Sequence, residues 1–133
     1  MRRAVGVVAL VAAVVAACSG DQGPVAGDLS VRLATARTTD RAVLFRIVGP
    51  RHGVTAGTGT GYRVITDTSA AGDTVWVAVI APQGSGLAAG EIARLAVPDT
   101  RKAGAYHAEL SDVAAADYAA ADSTELSLTV VKP

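Results

Sequence analysis

The segment 74–81 (Thr-Val-Trp-Val-Ala-Val-Ile-Ala) constrains the fold more than any other part of the chain. Six of its eight residues are β-branched or aromatic, and both alternating faces are apolar. Such a run reads as a central strand rather than an edge. Shorter segments with period-two patterning surround it. Leu29, Val31 and Leu33 alternate with Ser30, Arg32 and Ala34. Val43, Phe45 and Ile47 alternate with Leu44, Arg46 and Val48, and Gly49-Pro50 ends that run. Tyr62, Val64 and Thr66 suggest a third strand, after a loop over 51–61 that contains Gly57-Thr58-Gly59-Thr60-Gly61. Residues 91–97, 105–110 and 126–131 supply three more. Pro and Gly punctuate them because they break ladders and favour turns. Seven strands so arranged predict an all-β fold, an antiparallel β-sandwich. Residues 111–121 hold Ala114-Ala115-Ala116 and Ala119-Ala120-Ala121, and Ser111 is a possible cap. A short helix or a structured loop is expected there.

The first eighteen residues carry a different signal. Met1-Arg2-Arg3 is a positive start, residues 4–14 are uncharged and apolar, and Val15-Ala16-Ala17-Cys18 follows. Only 14 residues separate Arg3 from Cys18, whereas a membrane-spanning helix needs about 20. The order fits a secretory signal. Val-Ala-Ala-Cys also resembles the lipobox of bacterial lipoproteins. The resemblance implies cleavage before Cys18, lipidation of its sulfur and acylation of the new amino terminus. Residues 1–17 would then be a removed signal peptide and 18–27 a flexible, Gly-containing tether, leaving 28–133 as the domain. It further implies an extracytoplasmic protein held at a membrane by its lipid. By analogy with diderm lipoproteins, Ser19 lacks the aspartate that retains such proteins at an inner membrane, so an outer membrane is expected in a diderm cell, and otherwise the outer face of the cytoplasmic membrane.

Residues 74–131 resemble the C-terminal half of cohesin-like and related carbohydrate-binding sandwiches. An apolar strand, a Gly loop, the run 88–97, a strand ending Ala-Glu-Leu and a terminal Leu-Ser-Leu-Thr-Val-Val follow in that order. The front departs from the pattern, because 29–62 is shorter than that family's N-terminal strands. A cohesin-like or immunoglobulin-like sandwich is the resulting expectation. The chain also resembles Ala- and Val-rich bacterial lipoproteins, for which no activity is implied.

Twelve basic and twelve acidic residues balance, which argues against a nucleic-acid partner. A single cysteine excludes an intrachain disulfide framework and a cysteine-based zinc site. No Gly-x-Ser-x-Gly elbow exposes a nucleophile. Ser85, between Gly84 and Gly86, lacks that frame, and His52 and His107 read as ordinary surface residues. The glycine run 57–61 has no following Lys-Ser or Lys-Thr and fails the dinucleotide spacing. Asp112, Asp117 and Asp122 do not form a calcium loop and read as a solvated acidic edge. No catalytic residue, metal or cofactor is therefore expected. Trp76 is read as core, since tryptophan is highly buried on average. If exposed, it would instead be the centre of a sugar-stacking face, with Tyr62 and Tyr106 as candidate helpers. Charge is segregated: residues 29–63 carry six Arg and one Asp, while 99–125 carry two basic and six acidic groups. Pairing of the two segments would neutralise both. The expected role is non-catalytic binding at the cell envelope, of a protein partner or alternatively of a carbohydrate.

Overall fold

The computed structural model describes residues 23–133. They form eight strands in two antiparallel sheets, a β-sandwich. The strands are β1 (Gly27–Ala34), β2 (Ala42–Val48), β3 (Gly53–Ala56), β4 (Arg63–Thr68), β5 (Thr74–Ile80), β6 (Gly90–Val97), β7 (His107–Ala114) and β8 (Ser127–Val131). Sheet A has the order β3-β6-β1-β8 and sheet B the order β4-β5-β2-β7. β4 and β5 form a hairpin within one sheet, and every other connection crosses between the sheets.

Alternation explains the core. Leu29, Val31 and Leu33 of β1 and Ala93, Leu95 and Val97 of β6 point inward from sheet A. Val43, Phe45 and Ile47 of β2 and Val75, Val77 and Val79 of β5 meet them from sheet B. Burying these faces against each other is what drives two such sheets together. The sheets close this core with their own side chains, as an independently folding domain must. β5 lies between two partners, as its composition predicts. The register slips once on each side: between Val31 and Arg32 against β6, and between Leu44 and Phe45 against β7. Ile92 and Ser111 are the extra residues of these bulges.

The structure departs from the sequence reading at several points. β3 lies within the segment expected to be a loop. It is a four-residue edge strand with no buried side chain, so it shows no alternating signal. Of the two forms expected over 111–121, the helix is absent and the structured loop is found over 115–121. β7 runs on to Ala114, a bridge joins Ala114 to Ala120, and Tyr118 turns the chain at φ 64°. A left-handed residue cannot continue a right-handed helix, whatever the propensity of the alanines beside it. A 3-10 helix at Thr100–Ala105 was not expected; the Asp99 side chain caps it by accepting from the Arg101 N–H. Within 18–27, expected to be a flexible tether, Val25 is bound to the domain. The Val25 carbonyl accepts from the Thr100 N–H at 2.8 Å, and the Val25 N–H donates to Asp99 Oδ1 at 3.4 Å. Residues 1–17, read above as a signal peptide, and Cys18, read as the lipidation site, lie outside the described residues.

His52 is buried, at 7% exposure, rather than on the surface. Nδ1–H donates to the Pro50 carbonyl at 2.7 Å, leaving Nε2 buried without a hydrogen-bond partner. Its ring meets Tyr106 edge-on, with centroids 5.3 Å apart. Tyr106, 4% exposed, closes this end of the core over Gly49, where a Cβ would lie 2.6 Å from the tyrosine ring. Burial, then the negative charge of Asp99, push the Tyr106 hydroxyl pKa up.

The outer face of sheet A is polar. Its organiser is Glu91, which accepts from Ser30 Oγ at 2.6 Å, Arg94 Nε at 2.8 Å and the Thr58 N–H at 2.9 Å. Desolvation works against the charge, but the hydrogen bonds from Arg94, Ser30 and Thr58 win and lower its pKa from 4.5 to about 2. A carboxyl whose pKa is lower when folded stabilises the fold above its unfolded pKa. That contribution is lost as pH falls from 4.5 towards 2. Asp99, lowered from 3.8 to about 2 chiefly by the Arg101 hydrogen bond, acts in the same direction. In urea titrations across this window, Glu91→Gln should flatten the acid decline of stability. A variant that kept the full decline would show that Glu91 does not drive it.

Candidate functional site: the outer face of sheet B

Sheet B presents a different outer face. Antiparallel sheets with one solvated side usually show polar residues there. Here cross-strand register builds three rows. The first is Asp67, Trp76, Arg46 and Glu109, on β4, β5, β2 and β7. The second is Ile65, Ala78, Leu44 and Asp112. The third is Arg63, Ile80, Ala42 and Ala114. The middle of the face is therefore apolar and its margins are charged. Leu44, Ile65 and Trp76 are all exposed, at 37%, 47% and 39%. A shallow hollow of about 150 Å³ lies among Leu44, Ala78, Ile80 and Asp112.

Trp76 is thus not core, contrary to the sequence expectation. Thr74, Trp76, Ala78 and Ile80 face outward because the uniform β-branched face of Val75, Val77 and Val79 takes the interior. Arg46 lies opposite Trp76. Its guanidinium carbon sits 5.8 Å from the indole centroid, and its Nε donates to Glu109 Oε2. Both members of that ion pair are well exposed, so it contributes at most about 1 kcal/mol. Its consequence is geometric: it holds a cation beside the indole.

The other two aromatic candidates do not join Trp76. Tyr106 is buried beside His52 at one end of the sandwich. Tyr62 packs against the core, and its hydroxyl accepts from the Ala88 N–H at 3.0 Å. Leu44 and Ile65, which complete the face, were not singled out from the sequence. Their signal was present in the alternation of β2 and β4, but only pairing with β5 brings them together.

The basic and acidic segments do pair. Arg46 meets Glu109, and Arg37 meets Glu125 at 3.8 Å. Asp112, Asp117 and Asp122 each accept a nearby backbone N–H, from Val113, Ala119 and Thr124. Among the described residues, no group of three or more His, Cys, Asp or Glu side chains is placed to hold a metal ion. His107 is exposed at the start of β7. Comparison with protein-family models, with curated proteins and with solved structures finds no match to this chain.

Proposed function

We propose that this chain is a lipid-anchored, non-catalytic envelope protein whose sandwich binds another folded protein through the outer face of sheet B. The observation that carries the reading is the contiguous exposure of Leu44, Ile65 and Trp76 on paired strands. Exposed apolar patches bordered by polar groups mark interaction sites, and tryptophan is enriched among the residues that dominate binding energy. The partner's chemistry follows from the margins. Arg63 and Asp67 flank Ile65 on β4 and enter no ion pair among the described residues. The partner should present an apolar patch with an acid and a base spaced to meet them. The lipobox at Cys18 and the cohesin-like strand pattern support the envelope setting and the binding role.

A carbohydrate is the alternative ligand. Exposed Trp76 favours it, but sugar platforms use companion aromatics, and Tyr62 and Tyr106 are turned elsewhere.

The test is photo-crosslinking in cells, with the reactive side chain at residue 44 or 65 and, as control, at Thr55 on sheet A. The expected result is one adduct from both sheet B positions, absent from the control and lost in Trp76→Glu. Cys18→Ser should release the protein from membranes and weaken the adduct. An adduct of twice the chain mass would mean self-association. Protection of Trp76 from acrylamide by a glycan would mean a carbohydrate site. Either result, or no position-specific adduct, overturns the protein-partner reading.

A further inference from the structure

The sandwich has a second concave feature, at the end of sheet B just beyond Ala42, Ile80 and Ala114. Three connections meet at one end: residues 35–41, 81–89 and 115–126. They enclose a cleft of about 610 Å³, within the range of small-molecule sites. Its walls include Thr38, Thr39, Gln83, Ser85 and Tyr118, and no acidic side chain lines it. Arg41 also lines it and is only 7% exposed.

Arg41 forms no ion pair among the described residues. Its neighbour Asp40 is taken by Arg37 at 3.0 Å. Nη1 donates to the carbonyls of Pro82 (2.9 Å) and Ser85, and Nη2 to the Tyr118 hydroxyl at 3.1 Å. The Tyr118 ring lies beside the same guanidinium, 5.5 Å from centroid to carbon. These contacts hold the cation in place without cancelling its charge. A buried cation with no counter-ion is costly. Tyr118 adds a second cost, because it is the one non-glycine residue at positive φ among those described. Strain of this kind gathers at sites of function.

We infer that this cleft binds a carboxylate. The guanidinium has five N–H groups, and three are used as above. Nε–H and one Nη2–H remain without an acceptor among the described residues. A carboxylate accepts two parallel bonds from such an edge. Tyr118 accepts from Arg41, so its own O–H is free to donate to the same ligand. One cation matches a monoanion; a phosphate dianion would call for a second, and Arg37 is already paired. The ligand is a small carboxylic acid or the carboxyl terminus of a peptide. The cleft shares no lining residue with the hollow of the sheet B face, so the two proposals are tested on different residues and fail separately. β1 begins at the opposite end, where Val25 meets Asp99 and Thr100.

The test follows the Arg41 Nε–H resonance by NMR in residues 23–133. The probes are acetate, an acetylated alanine tripeptide with a free carboxyl terminus, the same peptide as its amide, inorganic phosphate and chloride. A saturable shift with acetate and the free peptide, absent with the amide and chloride, is expected. Tighter binding of the peptide than of acetate identifies a chain terminus, and equal binding a small acid. Tyr118→Phe should weaken binding about ten- to a hundredfold, the loss of one hydrogen bond to a charged group. Arg41→Lys keeps the charge but loses the fork, and the ligand-induced shift, followed in parent and variant on the amides of the cleft-lining Gly84 and Ser85, should vanish in it. If Arg41→Lys fails to fold, Tyr118→Phe still decides, since its exposed ring remains. Several results overturn the proposal: no saturable shift up to about 50 mM, where even a millimolar site is filled; equal response to the amide, phosphate or chloride; or unchanged affinity in Tyr118→Phe.

Discussion

Phe45→Ala should lower the unfolding free energy by about 3–5 kcal/mol. Phe45 is the chain's one phenylalanine and is fully buried. It stands on β2, a strand paired on both sides, opposite Val77 on β5 and Leu110 on β7. The surrounding core is made mostly of Val, Leu, Ile and Ala. Such short side chains cannot reach into the space a phenyl ring vacates, so the cavity term is added to the transfer term. The bulge beside Phe45 makes collapse harder still, because the β2–β7 register is already adjusted there. A domain of this size has about 5–15 kcal/mol of stability, so the variant should lose a large fraction of it. Urea unfolding would show a lower midpoint with an unchanged slope, the mark of a stability change. A loss below about 1 kcal/mol would mean that the core relaxes around the deletion in a way these packed sheets do not suggest.

The contrast between Phe45 and Trp76 shows what the sequence can and cannot reveal. On β2, Arg46 marks the outer face, so period-two alternation places Phe45 inside without further information. β5 has no charge on either face, and alternation yields two faces without saying which is buried. The register that sets Trp76 opposite Arg46 decides it, and register is a tertiary property. The same distinction separates the other successes from the misses. β1 and β6 are long and strongly alternating, and they stand where the pattern puts them. β3 borrows its pairing from β6 and has no pattern of its own. His52 sits in a Gly- and Pro-flanked turn, and only contact with Tyr106, distant in sequence, buries it. Arg41 is the strongest case. Nothing in Asp40-Arg41-Ala42 signals a buried cation, because its partners come from residues 82, 85 and 118.

The loops around Arg41 meet at Gly86, and Gly86→Ala should be the most damaging single-methyl addition among the described glycines. A Cβ there would lie 1.8 Å from the Thr38 carbonyl oxygen and 2.7 Å from its carbon. Both are backbone atoms, so no side-chain rotation can make room. The contact is part of a zipper: Leu87 N–H donates to the Asp40 carbonyl at 2.7 Å, and Ala81 N–H to the Arg41 carbonyl at 2.8 Å. Leu87 is fully buried and plugs this end of the core. Separating the two strands by the required distance would break the first bond and draw Leu87 outward. Overpacking in a tight site costs about 1–3 kcal/mol, and the upper end is expected here. Gly53→Ala is the control. Nothing lies within 4 Å of its Cβ position, so its effect should stay within about 0.5 kcal/mol. The two variants should differ again in ligand binding. Thr38 lines the cleft, so Gly86→Ala should weaken carboxylate binding while Gly53→Ala leaves it unchanged. Equal stability of Gly86→Ala and the parent would show that residues 38 and 86 do not approach each other in solution. The carboxylate cleft, whose walls they share, would then have to be redrawn.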